Sequence, residues 1–302
     1  MQLNPAPVEL AAPEAISAEQ FDACMARFAP FPSRAAAIAV SGGPDSMALA
    51  YLARGWATKH GIRLMAFIVD HKLRPESSEE AEKVQVRLSQ LGIISEVLSW
   101  QHEAVVSKLH ATARKARYRL LLAACRRHKI GDLLLAHQQD DQAETVLMRF
   151  AKGSGVDGLA GIPAENKSNG VRLLRPLLSF SKDNLVATCI EQIIPYVLDP
   201  SNRSEKFARG RLRRVMPLLE QEGFTIERLA DLASRARDAK DALDHFTSLL
   251  LRVAGKQDNA GIVRLSLEQL RSSPRAIALR AVASCLQNIH AEEYAPVQIS
   301  PA

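Results

Sequence analysis

Apolar runs and amphipathic runs alternate along the chain from Ala35 to Phe150. Ala36 to Val40 is a continuous apolar run ending at a Gly pair, and it reads as a buried strand. Met47 to His60 follows with helical spacing and is closed by Gly61. Leu64 to Val69 gives a second strand, ending at Asp70. Ser77-Ser78-Glu79-Glu80 has the spacing of a capping box, Ser77 with Glu80, and opens a helix to Leu91 that Gly92 stops. Ile93 to Leu98 reads as a third strand and Ala104 to His128 as a long helix. Leu133 to Ala136 is a fourth strand, with a further helix over Asp140 to Phe150.

Apolar strands alternating with helices predict an α/β fold, a parallel sheet with helices on both faces. In such sheets ligands sit at the carboxyl ends of the strands, near a topological switch point. Composition shifts near Pro217. Beyond it Ile226, Leu229, Leu232, Ala233, Ala236, Leu243, Phe246 and Leu250 follow helical spacing, and Arg271 to Gln287 reads as another helix. The expected organisation is a catalytic domain over 18–216 and a small, mainly helical C-terminal domain over 217–294, with the leucine stripe as its core. Residues 1–17 and 295–302 are expected to be loose.

The apolar fraction of 47% and charged fraction of 24% are those of a soluble globular protein. The net charge of +6 fits a polyanionic partner and fits plain solubility charge equally. Cys24, Cys125, Cys189 and Cys285 are scattered, without a Cys-x-x-Cys pair, which argues against a zinc ribbon, a cysteine-held cluster or a dithiol motif. The first residues lack the basic region of a signal peptide, and no segment approaches ~18 consecutive apolar residues. No membrane association and a cytoplasmic location are expected.

Two places carry candidate chemistry. The loop Ser41-Gly42-Gly43-Pro44-Asp45-Ser46 lies between the first strand and its helix. Its glycines allow backbone to approach phosphate, the helix start offers N–H groups and a positive dipole end, and Ser41 and Ser46 add hydroxyl donors. Asp45 would repel phosphate unless it held Mg²⁺. The bland alternative is a strand–helix turn with Asp45 as N-cap. The loop lacks the Gly-Lys-Ser/Thr of a Walker motif. Gly153-Ser154-Gly155-Val156-Asp157-Gly158 matches a dinucleotide pattern, but it follows a helix and none is expected to begin inside it, so it reads as a helix stop and loop. The second place is the end of the fourth strand. His137, Asp140, Asp141 and Glu144 gather there, with the acids on one face of a helix start. Such a set can hold Mg²⁺, grip an ammonium ion or accept a proton. Acids favoured by the helix dipole are the bland alternative.

Taken together, these segments resemble the PP-loop ATP pyrophosphatases, and more specifically the tRNA(Ile)-lysidine synthetases. The resemblance rests on Ser41 to Ser46, Asp70-His71-Lys72-Leu73-Arg74-Pro75-Glu76-Ser77, Ala113-Arg114-Lys115-Ala116-Arg117-Tyr118, His137 to Thr145 with Gly153 to Gly158, and Asp199-Pro200-Ser201-Asn202 with Phe207 and Arg209-Gly210-Arg211-Leu212-Arg213. It implies a Rossmann-like PP-loop domain that uses ATP and Mg²⁺. It also implies a reaction joining L-lysine to C2 of the wobble cytidine in the CAU anticodon of tRNA(Ile), through an adenylated tRNA. Ser41 to Ser46 would bind ATP, with Asp45 on the metal. Asp140, Asp141 and Glu144 would bind lysine, and Asp45, His137, Asp141, Glu144, Arg117 and Arg211 would serve catalysis. A homodimer is compatible with the resemblance. Arg209, Arg211, Arg213 and Arg214 form a basic run that reads as a phosphate contact or as a solvated face.

Three departures stand out. Lys72 replaces the family's usual Gly, Gln138 replaces a common second His, and the chain ends at Ala302 without the further C-terminal domain of longer members. The last departure bears on how tRNA identity is checked, not on the chemistry. A tRNA thiolase of the same superfamily and a non-catalytic adenine-nucleotide sensor are the rival readings. Missing paired cysteines weigh against the first, and three acids at the fourth strand against the second.

Overall fold

The computed structural model describes residues 13–102, 109–197, 208–257 and 263–289. The chain divides into two compact units, one of residues 1–142 and 162–218, the other of residues 143–161 and 219–302.

The first unit is built on a six-stranded sheet. β1 (Ala35–Val40), β2 (Arg63–Asp70), β3 (Ile94–Ser99), β4 (Asp132–Leu134), β5 (Glu165–Ser168) and β6 (Val171–Leu174) lie in the order β3-β2-β1-β4-β6-β5. All pairs are parallel except β5 with β6. β1 is central and wholly buried, and its alanines let helices close on both faces. Ala36, Ile38 and Val40 face a core shared with α1 (Ala18–Ala26), α2 (Pro44–His60), α3 (Ser77–Gln90) and α7 (Lys182–Glu191). Ala35, Ala37 and Ala39 face the opposite core, against Leu121, Leu122, Ala124 and Cys125 of α4 (Leu109–Arg127). This is the period-two alternation of a strand buried on both sides. The sheet order turns back between β1 and β4, which sets the switch point there.

The edge hairpin β5–β6 is an addition to the sequence reading. β5 is polar, Glu-Asn-Lys-Ser, and shows no strand-like apolar pattern. Asn169 and Gly170 form its two-residue turn, both with positive φ, 49° and 81°. Asp132, buried at the start of β4, takes an ion pair from Arg172 directly across the β4–β6 register, at 2.5 Å.

Other expectations need correction. The capping box at Ser77 does not form. The helix N-cap is Glu76, the Ser77 hydroxyl is drawn to Asp70, and the Glu80 carboxylate pairs with Arg74 at 2.9 Å. Charge-assisted bonds outcompete a neutral cap. Pro217 lies inside α8 (Ala208–Gln221) rather than at a break. A short helix, α6 (Val156–Leu159), does begin inside the Gly153–Gly158 segment.

The second unit is organised on the 29-residue helix α9 (Ile226–Ala254), with α10 (Leu267–Ser272) and α11 (Arg275–Ile289) against it and a two-stranded hairpin of β7 (Gly255–Gln257) and β8 (Val263–Leu265). Leu250, Ala254, Ile277 and Ala281 form its small core. Arg280 bridges Asp244 at 2.6 Å and also pairs with Asp157 of α6. The expected leucine stripe is only partly core. Leu229 and Ala233 are buried, whereas Leu232 and Phe246 are 41% and 58% exposed.

Candidate active site

Ser41 to Gly43 join β1 to α2 on the β1 side of the switch point. Gly42 has φ of +85°, and a Cβ there would meet Val84 Cγ2 at 2.5 Å, so both backbone shape and packing require glycine. The Ser46 hydroxyl accepts from the Ser41 N–H at 3.1 Å and donates to the Gly43 carbonyl at 3.0 Å. Ser46 is buried and its hydroxyl also lies 3.3 Å from the Ser41 hydroxyl, so in this structure it shapes the loop. Ser41 is exposed. The Gly42 carbonyl is held from the other side by the Val197 N–H at 2.9 Å. Gly43 caps α2 without a side chain, Pro44 has no N–H, and the first helical bond is Met47 N–H to Gly43. The N–H groups of Asp45 and Ser46 therefore have no acceptor within the helix and mark an anion-friendly end.

Asp45 sits in the first turn of α2 with one carboxylate oxygen buried and without a hydrogen-bond partner. Burial, joined by the charges of Asp141 and Asp140, lifts its pKa from 3.8 to about 6, against the lowering influence of Lys182 and Arg213. The orphaned oxygen and the crowd of like charges fit a cation at this carboxylate. Among the described residues no group of three His, Cys, Asp or Glu is placed to hold a metal unaided. An ion here would thus be completed by phosphate oxygens and water, the usual habit of Mg²⁺.

The β4 side of the switch point supplies the acids. His137 and Gln138 lie between β4 and α5 (Gln139–Phe150), and Asp140 and Asp141 open that helix with Glu144 one turn on. Gln138 is 2% exposed and does a capping job. Its side-chain oxygen accepts from the Asp140 N–H, and its own N–H donates to Asp141 at 3.3 Å. That is what the residue in the place of a second His accomplishes. Asp140 also accepts from the Lys182 N–H at 3.1 Å, tying α5 to the start of α7. Lys182, whose charge reaches Asp45, was not singled out from sequence; the Ser181–Asn184 capping box was the local signal that a helix begins there. Glu144 is buried at 3% exposure.

At the end of β2, Asp70 is buried and accepts from Ser78 (2.7 Å), Ser77 (2.8 Å) and the Lys72 N–H (2.9 Å). Burial pushes its pKa up, but these three bonds outweigh burial and hold it below the ordinary carboxylate value. Lys72 adopts φ of +49°, the left-handed region where the family's Gly would be unstrained. Lys72→Gly is therefore expected to stabilise the chain by about 0.5–1 kcal/mol, relief of the left-handed strain offset by added chain entropy. Denaturant melts of the two proteins check this, and an unchanged or lower midpoint would sink it. His71 and Trp100 meet edge-on at 6.2 Å, and burial followed by the Arg117 charge lowers the His71 pKa. Arg117, on α4, has its own pKa pulled down by burial and remains cationic. No carboxylate pairs with it among the described residues. Arg211, Arg213 and Arg214 are exposed on α8. Asp199, Pro200, Ser201, Asn202 and Phe207 lie outside the described residues.

The chain is similar to known proteins. A PP-loop domain model matches residues 13–219. A tRNA(Ile)-lysidine synthase from Methylobacterium sp. (strain 4-46) is 44% identical over 264 residues, covering 87% of this chain and 76% of the relative. Another from Bradyrhizobium sp. (strain BTAi1) is 48% identical over 220 residues, 72% of this chain and 62% of the relative. Among solved structures, the U34-tRNA thiolase NcsA from Methanococcus maripaludis, with its [4Fe-4S] cluster, superposes with a TM-score of 0.62 at 19% identity over 73% of this chain and 78% of that one. That likeness is one of fold.

Proposed function

The chain belongs to the tRNA(Ile)-lysidine synthase family of PP-loop proteins, and we propose that it joins L-lysine to C2 of the wobble cytidine in the CAU anticodon of tRNA(Ile), using ATP. The observation that carries the reading is the convergence at one switch point of an anion-binding loop and an acidic helix start, with Asp45 feeling Asp141 and Asp140. An adenine-nucleotide sensor needs the loop alone. A thiolase needs sulfur chemistry, and the four cysteines include no Cys-x-x-Cys pair, with Cys125 and Cys189 buried and their thiols pushed up by burial.

In this reading the cytidine C2 oxygen attacks the ATP α-phosphate, the α–β bond breaks and pyrophosphate leaves. The lysine amine then adds at C2, the C2–oxygen bond breaks and AMP departs with the oxygen. The Ser41–Ser46 loop cradles the phosphates with its N–H groups and the dipole of α2. Mg²⁺ held at Asp45 would supply charge neutralisation on the leaving pyrophosphate. Arg117, a cation that pairs with no carboxylate among the described residues, is suited to a phosphate or to the adenylate, and Arg211 to the same anions or to the tRNA backbone. Asp140, Asp141 and Glu144 attract the lysine ammonium, and one of them or His137 takes the proton that must leave before attack. Lys182 offers one further charge beside Asp45 for the triphosphate. In this reading the catalytic domain is 18–216 and the helical one 217–294, although residues 143–161 group with the second compact unit and Pro217 lies inside α8. No helix among the described residues is long and apolar enough to cross a membrane, and a cytoplasmic location is part of the proposed reading of an enzyme that uses ATP and tRNA.

Incubation with ATP, labelled lysine and an unmodified CAU-anticodon tRNA, followed by nucleoside analysis, tests the reading. Label is expected in a modified cytidine only when all three are present. Label-free tRNA with ATP still bound would favour the sensor.

A further inference from the structure

The Gly153–Gly158 segment matches a dinucleotide pattern, yet two of its glycines answer to packing. Gly153 takes φ of +71° just past the end of α5, and a Cβ on Gly158 would meet Ser154 Cβ at 2.4 Å. The loop's own folding thus reserves position 158 for glycine. Side chains from three helices then tie the turn down. Arg149, in the last turn of α5, donates to the Gly158 carbonyl at 2.8 Å and to the Gly161 carbonyl at 3.1 Å. Its own carbonyl accepts from the Ser154 N–H at 3.0 Å, so one residue both ends α5 and holds α6. Arg237 of α9 donates to the Ala160 carbonyl. Arg280 of α11 grips Asp157 and Asp244 together. Carbonyls at a helix end have no intrahelical partner, and guanidinium donors make the stronger, charge-assisted bonds to them. All of these residues belong to the second unit, as does the buried Glu144 of α5.

We propose that Arg237 and Arg280 are positioning residues for the lysine step. Through α6 and Arg149 they fix the stretch of α5 that carries Glu144, and with it the place of that carboxylate. The inference rests on the proposed reading of Glu144 as a lysine-binding acid. Neither arginine needs to touch substrate for this. Arg237 carries more of the effect. The Ala160 it holds is 3% exposed, whereas the Asp157 side chain is 54% exposed and water screens its pair with Arg280. A firm tie matters because a reacting group displaced by about 1 Å can lose roughly 100-fold in rate, even when the change lies far from the chemistry.

The test displaces α6 in two independent ways. Gly158→Ala forces the turn apart and is expected to lower kcat/KM for lysine roughly 10- to 100-fold, with ATP affinity by calorimetry unchanged. Adding Ser154→Gly removes the atoms the new methyl would strike and leaves Arg149 Cδ, at 3.7 Å, as its neighbour, so the double variant should recover most of the loss. Arg237→Ala should give the same selective lysine defect. Arg237→Lys, which keeps a donor for the Ala160 carbonyl, and Arg280→Ala should each give a smaller one. Hydrogen exchange read by mass spectrometry needs no turnover. Residues 144–161 should exchange faster in Gly158→Ala and Arg237→Ala, with β1 to β4 as protected as in wild type. Unchanged exchange over 144–161, equal loss of ATP affinity, or a double variant no better than Gly158→Ala would overturn the proposal. An active wild type whose variants keep normal lysine kinetics would overturn it alone, whereas a wild type that makes no lysidine would overturn the function on which it rests.

Discussion

Asp45→Asn is expected to lower ATP-dependent turnover by roughly 100- to 1,000-fold while leaving the fold intact, the loss typical of removing one electrostatic stabiliser of a transition state. The motive is a carboxylate in an anion-binding loop, with one oxygen buried and unpartnered and a pKa lifted to about 6 by burial and the nearby Asp141 and Asp140. The same feature predicts a second, opposite effect. A raised carboxyl pKa means folding favours the protonated form. That contribution is complete below 3.8 and is lost as pH rises through about 6, after which an ionised Asp45 burdens the metal-free fold. The burden is on the order of 3 kcal/mol at neutral pH. Metal-free Asp45→Asn should therefore melt above wild type at pH 7.5, and the difference should shrink toward pH 4. Near-normal Mg²⁺-dependent turnover in the variant would refute the metal role. A melting difference that is independent of pH would refute the account of the carboxyl group.

Glu144→Gln and Asp141→Asn are each expected to raise the KM for lysine by roughly 10- to 150-fold, the value of one charge-assisted hydrogen bond at about 1.5–3 kcal/mol. The two acids stand three residues apart on α5, one helical turn, just beyond the carboxyl end of β4. ATP affinity should change far less, because an anionic nucleotide gains nothing from them except through a metal. Lysine titration at saturating ATP and tRNA gives the first quantity, and calorimetry with ATP gives the second. A selective lysine defect supports the amine site. Equal loss of ATP affinity would move the acids onto the metal, and no effect on either would return them to helix-start acids favoured by the dipole.

Sequence alone determined the elements whose causes are local. Apolar runs gave β1 to β4 within two residues, because a short apolar run bounded by turns needs no partner to be recognised. Gly61 and Gly92 marked helix ends, both with positive φ, and the Ser41–Ser46 loop was legible because glycines between a strand and a helix have few other uses. The β5–β6 hairpin escaped, although Asn169-Gly170 is a strong turn signal, since its first strand is polar and gains its place only by pairing at the sheet edge. The rest was decided by tertiary structure. Ser77 reads as a cap until Asp70, seven residues earlier, is brought to 2.8 Å by the turn from β2 into α3. Lys182 acquires meaning only when the crossover to α7 lays its N–H against Asp140 and its charge near Asp45. Helical spacing in α9 could not say which apolar residues lie inward, because two seams about 100° apart share one periodicity and only packing separates them. Periodicity reports what each residue's neighbours four positions away allow; burial and pKa depend on groups the chain brings in from far along its length.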